Sequence, residues 1–513
     1  VYWSNWFGLD AVTRSIQVQR GLGASKLALP SVGGTINIIT KGFDSRKEAS
    51  IMQEIGSDGY LRTSFGYSSG ILKNNWSITA AGSYKQGNGW VDQTWTKGFF
   101  YYLKVDKKIG KHTLSLSAYG APQSHGQRSY MLPIQYFDSD LARELGVPET
   151  DIAKVIPHGT KYNQHWGYLA RTAENPDAKA EPFNERVNEY HKPQFTLKDT
   201  WLVNDKIVVS NIAYLSIGNG GGIRAKGTPV SMKDSLGLMD FQSIYDKNVS
   251  DYSINSLFDP ELHNSGNYMR RLVNSHRWFG LLSTITYELN ERNNLSGGID
   301  LRSYRGMHYE EVYDLLGGDY AVFDYITDWD ESTKSKYILK EGDINNFHND
   351  GYVRWGGIFG QWEYKDDKIS TFINLTGANS GYQRSDYIIM RKTYNAQERD
   401  GFTYKTRDGN KVEFSKWNWF PGFTAKGGAN YNFTKHMNAF VNLGYLSKAP
   451  RFNNVYDYDN TLFRDIKNEI VKAIELGYSY NSSRFSANLN SYYTIWENKP
   501  VYSASKIAVE TSP

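Results

Sequence analysis

Two runs of residues have the spacing of catalytic or phosphate-binding motifs, but the segments that flank them do not suit that chemistry. Residues 66–70 (GYSSG) have the spacing of a nucleophile elbow, which needs a strand entering a helix to expose its serine. Two predicted strands flank this run, so we interpret it as a turn. Residues 218–222 (GNGGG) follow a predicted strand, but no helical periodicity follows them to supply a phosphate-binding N-terminus. We interpret this second run as a flexible loop and predict that the protein is not an enzyme.

Two acidic clusters could bind calcium through hard oxygen ligands. They are residues 328–331 (DWDE) and 457–460 (DYDN), and the second supplies Asp457 and Asp459 as candidate ligands. Neither has the glycine and distal glutamate of a calcium loop, so solvated carboxylates are the favoured interpretation and calcium on loops is the alternative. The sequence has no cysteine, which excludes disulfides and zinc–thiolate sites. No other cofactor is predicted.

Composition favours an all-β chain. The 513 residues include 38 Tyr, 14 Trp and 47 Gly, a mixture typical of pleated strands joined by glycine-containing turns. No stretch has the roughly eighteen consecutive apolar residues of a membrane-spanning helix, which excludes a helical membrane protein. A membrane β-barrel is compatible, because its strands alternate lipid-facing and lumen-facing residues. The net charge of +4 is small and spread along the chain, so it does not indicate a nucleic-acid partner.

Alternation of apolar and polar residues predicts about fifteen strands. In the clearest example one face carries apolar side chains that we predict to point at lipid, namely Met437, Ala439, Val441, Leu443 and Tyr445. The predicted strands lie near 48–57, 60–69, 75–85, 95–106, 111–120, 192–203, 206–217, 277–289, 293–305, 352–365, 368–376, 418–431, 436–446, 470–480 and 484–496.

The lengths of the connections favour a membrane barrel. Turns after even-numbered strands are short, and the long connections follow odd-numbered strands, at 121–191, 218–276, 306–351, 377–417 and 447–469. Antiparallel strands then put every long connection at one end, as in barrels with short periplasmic turns and long extracellular loops. We therefore predict a transmembrane antiparallel β-barrel in which Asn204 and Trp166 lie at opposite rims.

Two pairs of segments resemble one known family. Residues 16–25 (IQVQRGLGAS) and 32–41 (VGGTINIITK) resemble the closing part of the plug domain of TonB-dependent receptors, although Gln19 and residues 27–30 depart from the pattern. Far downstream, residues 444–452 (GYLSKAPRF) and 474–478 (IELGY) are similar to the barrel patterns S-x-x-F-R-A-P and E-x-G-Y of that family. Two ordered matches so far apart indicate the family more strongly than either alone.

The resemblance implies a domain organisation. Residues 1–47 would be the end of the plug, and residues 48–513 the barrel. Family barrels are of the 22-stranded type, so about fifteen strands imply that further strands follow Pro513 and that most of the plug, with the TonB-contacting segment, precedes Val1.

The resemblance also implies a function and partners. It predicts active import of a scarce nutrient across the outer membrane of a Gram-negative bacterium, with a ferric siderophore or similar iron chelate as cargo. The alternatives are cobalamin, oligosaccharide or peptide uptake by the same mechanism, or a passive porin or surface-binding barrel. The implied partners are TonB with ExbB and ExbD, the lipid bilayer and lipopolysaccharide, and in some such systems a surface lipoprotein.

The family pattern also implies a lock between plug and barrel. Its plug arginine and its barrel glutamate match Arg20 and Glu475. The strand phase agrees, because Glu475 faces the lumen if Ile474 and Leu476 face lipid. A carboxylate on a crowded surface is stabilised by a charge-assisted partner. The alternative is that Glu475 lines a wet lumen while Arg20 caps a turn.

Side chains in the long connections are candidates for substrate contact, because loops on a rigid scaffold carry function. The candidates are His125, Tyr130, His165, Trp166, His308 and Tyr309. Chance placement of polar residues in loops is the alternative interpretation. The connection 121–191 is also predicted to contain helices, one capped by Ser139 and Asp140 and a second over 148–156.

Overall fold

The computed structural model describes residues 6–23, 31–129, 131–227, 237–325, 332, 334–388, 402–407, 410–457, 461–463 and 465–500. Within these residues the helices are α1 (Ser139–Glu144), α2 (Glu149–Ile152) and α3 (Phe241–Asn248). The strands are β1 (Thr13–Arg20), β2 (Gly34–Thr40), β3 (Lys47–Ile55), β4 (Leu61–Ser69), β5 (Trp76–Gly87), β6 (Thr96–Ile109), β7 (His112–Gly120), β8 (Gln123–Gly126), β9 (Trp166–Leu169), β10 (Glu181–Asn184), β11 (Val187–His191), β12 (Gln194–Asn204), β13 (Ile207–Lys226), β14 (Tyr268–Asn290), β15 (Asn293–Asp314), β16 (Ala321–Val322), β17 (Ile338–Leu339), β18 (Ile344–Lys365), β19 (Ile369–Asp386), β20 (Phe402–Arg407), β21 (Asn410–Ser415), β22 (Asn418–Thr434), β23 (Met437–Lys448), β24 (Glu469–Asn481) and β25 (Ser486–Glu497).

A single antiparallel sheet forms the barrel wall, as the alternation predicted. Its strands follow the chain in the order β3, β4, β5, β6, β7, β12, β13, β14, β15, β18, β19, β22, β23, β24, β25. Each of these fifteen strands overlaps one predicted range. The short strands β8, β11, β20 and β21 extend the wall at the end where the long connections lie. Both β3 and β25 are exposed along almost their whole length.

The register places the two kinds of connection at opposite rims. In the pair β7–β12, His112 lies opposite Trp201 near the short turn after Asn204. At the other end of the same pair Tyr119 lies opposite Gln194, and the connection that contains Trp166 leaves from there. The predicted segregation of long and short connections is therefore confirmed.

The contacts of β23 show which face of the wall is the lumen face and which is the outer face. Leu446 packs against Leu22 of the N-terminal segment, and the Asn442 amide lies 3.4 Å from the Glu475 carboxylate, so even-numbered side chains of β23 face the lumen. The predicted outward set, which includes Val441 and Leu443, is confirmed, and Leu443 is 56% exposed. None of the helices in the described ranges is long and apolar enough to cross a membrane.

Several strands are longer than predicted, and one loop prediction is wrong. Residues 218–222 lie inside β13, which runs to Lys226, instead of forming a flexible loop. A Cβ at Gly218 would lie 2.3 Å from the His276 ring, and one at Gly220 would lie 2.3 Å from the Tyr190 ring. Glycine there allows neighbouring strands to bring large rings close to the backbone, which is packing that sequence periodicity does not report.

The extended strand ends are covered on both faces by the long connections. Tyr268 and Met269 are consecutive residues of β14 and so point to opposite faces, yet both are buried, in different apolar clusters. The first cluster includes Tyr320 from the connection after β15, and the second includes Phe241 from α3. The long-loop end is therefore a folded layer with its own core.

The remaining local predictions are largely confirmed. Residues 66–69 end β4 and Gly70 begins the turn towards β5, so the serine run is a turn between strands. The first helix is confirmed but its predicted cap is wrong: α1 begins at Ser139 and is capped by Asp138, whose carboxylate accepts hydrogen bonds from the backbone N–H groups of Asp140 and Leu141. The second helix follows Pro148 and is shorter than predicted, ending at Ile152.

Candidate functional site

The N-terminal segment, residues 6–23 and 31–46, lies inside the barrel and contacts two parts of its wall. We call it the inner segment. Its strands β1 and β2 form an antiparallel hairpin that places Arg20 opposite Gly34. On one side it contacts β4–β6, and on the other it contacts β22–β24. A folded segment that reaches two distant parts of the wall obstructs the lumen between them.

The contact with β22–β24 centres on Glu475. The backbone N–H of Leu22 lies 3.1 Å from each oxygen of the Glu475 carboxylate and donates to it. The Leu22 side chain is fully buried against Leu446 and Val471 of the wall. Glu475 therefore binds the inner segment at Leu22, two positions beyond Arg20, and its pairing with Arg20 stays a prediction. The Arg20 side chain lies outside the described part of the structure.

Gly21 is required by this contact for two reasons. Its φ is +69°, in the left-handed region that residues with a Cβ adopt at a cost. A Cβ at this position would also lie 2.2 Å from Glu475 Oε1. The conformation of the turn is what aims the Leu22 amide at the carboxylate.

Two lysines of the wall bind backbone carbonyls of the inner segment. Lys426 Nζ donates to the Ser31 carbonyl at 2.5 Å, and Lys104 Nζ donates to the Lys41 carbonyl at 2.9 Å. Sequence reasoning missed both lysines. Each lies at a lumen-facing position of a predicted strand, so a lysine in the lumen phase was the signal that could have found them.

The contact with β4–β6 is mainly apolar. Leu9 and Val12 pack against Phe100 and Tyr102, which face the lumen from β6. Phe100 is only 1% exposed. An ion pair borders this cluster, since Asp10 Oδ1 lies 2.7 Å from the Arg62 guanidinium.

The candidate substrate residues lie on different elements at the long-loop end. His125 is half-buried in β8, and His308 Nδ1 lies 2.7 Å from the Asn274 amide oxygen. The Tyr309 ring lies edge-on to His348 with 5.4 Å between centroids. Trp166 packs edge-on against a neighbouring tyrosine ring. Tyr130 lies outside the described residues.

His165 is buried within the connection between β8 and β11. Its Nε2 lies 2.7 Å from the Ser129 carbonyl, and its Nδ1 lies 2.8 Å from the Glu185 carboxylate. Burial alone would raise the pKa of Glu185, but hydrogen bonding to His165 and the charge of Arg186 outweigh it, so this pKa is lowered. The Ala225 amide also donates to Glu185, so this cluster ties the connection to β13.

In the described part of the acidic cluster at 457–460, Asp457 makes hydrogen bonds to other residues of the protein. Asp457 Oδ1 accepts a hydrogen bond from the Thr461 amide at 2.8 Å, and its carbonyl accepts one from Arg384. Asp459 and the other acidic cluster, 328–331, lie outside the described residues. Within the described ranges no three His, Asp or Glu side chains are grouped so as to hold a metal ion.

A wide antiparallel barrel whose lumen holds a folded, hydrogen-bonded segment is the architecture of a plugged transport barrel, and comparison with solved structures agrees. The chain has the fold of TonB-dependent receptors. No protein-family model matches the sequence, and no curated protein matches it.

Three of the similar structures can be compared directly. The ferric-catecholate import receptor Fiu from E. coli K12 is 12% identical, with 95% of this chain and 65% of Fiu covered and a TM-score of 0.58. The ferric yersiniabactin uptake receptor FyuA from Yersinia pestis is 11% identical, with 95% of this chain and 60% of FyuA covered and a TM-score of 0.58. The siderophore receptor PiuA from Acinetobacter baumannii is 12% identical, with 94% of this chain and 62% of PiuA covered and a TM-score of 0.56. The chain thus spans less than two thirds of each structure.

Proposed function

We propose that this protein is a TonB-dependent receptor that imports a scarce nutrient, a ferric siderophore or similar iron chelate, across the outer membrane of a Gram-negative bacterium. The observation that carries the proposal is the inner segment bonded to the wall through Glu475. A wide barrel without such a segment would be an open aqueous channel. In this proposal residues 1–47 are the end of the plug and residues 48–513 form the barrel.

The two faces of the wall support the proposed membrane placement. The outward side chains form an exposed apolar band, of which Leu443, Ile358 and Phe65 are examples. The lumen-facing positions between them carry polar and charged residues such as Glu475 and Arg62. This alternation suits strands with lipid on one side and a hydrated plug on the other.

The way the plug is held suits a segment that must rearrange. Glu475, Lys426 and Lys104 bind the backbone of the inner segment, and water can replace a backbone partner at small net cost. A pull by TonB from the short-turn end could therefore break these bonds one at a time without unfolding the barrel.

The substrate assignment is supported by the functions of the three similar structures. Fiu is a ferric-catecholate import receptor, FyuA takes up ferric yersiniabactin and PiuA is a siderophore receptor. Their shared chemistry is a chelated ferric ion. In this chain the long-loop end carries aromatic and imidazole groups that such a ligand would contact, with His308 on one face of β15 and Tyr309 with His348 on the other.

Uptake of radioactive iron tests the proposal. The protein is expressed in an iron-limited Gram-negative host that lacks its own siderophore receptors, with and without a working TonB, and offered catecholate, hydroxamate and citrate chelates. We expect uptake of at least one chelate only when TonB is present. Uptake without TonB would indicate a passive porin, and uptake of labelled cobalamin or oligosaccharide instead would replace the iron assignment.

A further inference from the structure

A polar row interrupts the outer face of three neighbouring strands of the wall. Cross-strand register places Asp199 of β12 opposite Asn211 of β13, and Asn211 opposite Ser283 of β14. The register also connects the outward-facing Leu443, strand by strand, to Ile207 of β13. Asn211 lies four residues further along β13 and therefore points outward as well.

The row lies within the apolar band of the outer face, away from its edges. On β13 the other outward positions between 207 and 217 are apolar, namely Ile207, Val209, Ala213, Leu215 and Ile217. On β14 the other outward positions between 279 and 289 are apolar or aromatic, namely Phe279, Leu281, Ile285, Tyr287 and Leu289. Each run has the length of one membrane crossing, about 9–11 residues. With the barrel in a bilayer, the polar row faces hydrocarbon.

Only part of the row is hydrogen-bonded within the described residues. The Ser283 hydroxyl donates to Asn211 Oδ1 at 2.7 Å. Asp199 Oδ1 lies 3.1 Å from His112 Nδ1, and the Trp201 ring stacks on this imidazole with 5.3 Å between centroids. The Asn211 Nδ2 group donates to no acceptor in the described part of the chain. Lipid chains offer no acceptor, so this amide is costly unless another protein covers it.

A second copy of this chain has the chemistry to cover the row. The Asn211 oxygen accepts one hydrogen bond among the described residues, from Ser283, which leaves its second lone pair open. Two Asn211 amides that meet at a two-fold axis along the membrane normal can therefore each donate to the other. The same amide supplies both the missing acceptor and the missing donor.

The neighbours of Asn211 suit the same symmetry. A two-fold axis beside Asn211 places Ser283 of one copy on the side of Asp199 of the partner subunit, so the two carboxylates stay apart. The next outward residues on β13, Val209 and Ala213, are small. Small side chains between two membrane segments allow their backbones to approach closely.

We propose that the outer face of β12–β14 is the interface of a homodimer in the membrane, centred on Asn211. The proposal rests on the membrane placement proposed above. The interface does not include β4–β6 or β22–β24, which the inner segment contacts. Pairing therefore leaves each inner segment free to rearrange within its own barrel.

Cross-linking in membranes tests the interface, because the chain has no cysteine of its own. Ala213→Cys introduces a thiol beside Asn211 on the outward face. Ala429→Cys is the matched control, since Ala429 lies opposite the outward-facing Val441 on another part of the wall. With a short thiol-reactive cross-linker we expect Ala213→Cys to give a product of twice the mass of the chain. We expect Ala429→Cys to stay monomeric.

Asn211→Leu in the Ala213→Cys background measures the contribution of the amide. Leucine has a similar volume and suits lipid, so each barrel should still fold. The association constant of the dimer is obtained from cross-linking at a series of lipid dilutions. We expect it to fall on the order of tenfold, because both hydrogen bonds across the axis are lost.

A monomeric Ala213→Cys, equal cross-linking of the control, or an association constant unchanged by Asn211→Leu would overturn the proposal. A product of another mass would also overturn it, by showing a different protein at this face. Should Ala213→Cys fail to fold, Val209→Cys places the thiol on the other side of Asn211, with the same expectation.

The membrane placement is tested separately with Leu443→Cys. We expect a water-soluble maleimide to leave this thiol unlabelled in membranes and to label it after unfolding in detergent. Labelling in membranes would refute the membrane placement itself. A protected Leu443→Cys together with a monomeric Ala213→Cys would refute the dimer alone.

Discussion

The two wall contacts of the inner segment differ in their chemistry. Against β4–β6 the segment buries Leu9 and Val12 on Phe100, a contact that depends on area and tolerates small shifts. Against β22–β24 it presents the Leu22 backbone amide to Glu475, a contact that depends on direction. The comparison indicates that buried apolar side chains hold the segment on both sides, Leu9 and Val12 on one and Leu22 on the other, while the hydrogen bond to Glu475 also sets the position of the turn.

Phe100→Ala should have the largest effect. Removing a buried phenyl ring leaves a cavity, and the free energy of unfolding should fall by about 3–5 kcal/mol. Urea unfolding of the protein folded into vesicles measures this. Phe99→Ala is the matched control, because Phe99 is the next residue along β6 and points outward, 48% exposed. A loss as large for Phe99 as for Phe100 would contradict the assignment of the apolar contact to the lumen side.

Glu475→Ala should have a smaller effect on stability and a large local one. The Leu22 amide loses its acceptor, and an unsatisfied buried donor costs about 1–3 kcal/mol. Hydrogen exchange of the Leu22 amide reports the contact directly and should accelerate in the variant. Glu475→Gln keeps one acceptor oxygen, so its exchange rate at the Leu22 amide should lie between those of the wild type and Glu475→Ala. An unchanged exchange rate in Glu475→Ala would mean that the carboxylate does not hold the turn.

Gly21→Ala tests whether that contact is directional. The left-handed backbone costs a residue with a Cβ about 1–2 kcal/mol, and the clash with Glu475 adds to it. In the double variant with Glu475→Ala the clash is gone, so its loss of unfolding free energy should be smaller than the sum of the single losses by about 0.5 kcal/mol or more. Additive losses would show that glycine is needed for the backbone alone.

Asp10→Asn should have the smallest effect. Asp10 is 54% exposed on its side chain, and Arg62, which is 11% exposed, keeps its ion pair with Glu54, so the loss should be only about 0–1 kcal/mol. Unfolding midpoints at low and high salt check this, and the difference between wild type and variant should shrink as salt is added. A loss greater than that of Glu475→Ala would show that the ion pair contributes more than its exposure predicts.

Which side chains of the candidate site point into the lumen could be predicted from the sequence, because strand phase alone determines their direction. The lumen-facing direction of Glu475 follows from alternation with Ile474 and Leu476, and the outward row through Val441 follows in the same way. The partner of Glu475 did not follow, because a backbone amide carries no signature in the sequence. Lys426 and Lys104 were missed for the same reason, since their acceptors are carbonyls of the inner segment.

By itself the sequence determined the fifteen strands, their antiparallel direction and the segregation of long and short connections. Period-two alternation and turn length are local properties, so they can be identified in the sequence without knowledge of distant contacts. Tertiary structure alone decided the length of β13 through its glycine run and the burial of His165 beside Glu185. Each depends on which strand or loop lies alongside, and that is fixed by pairing between residues far apart in the chain.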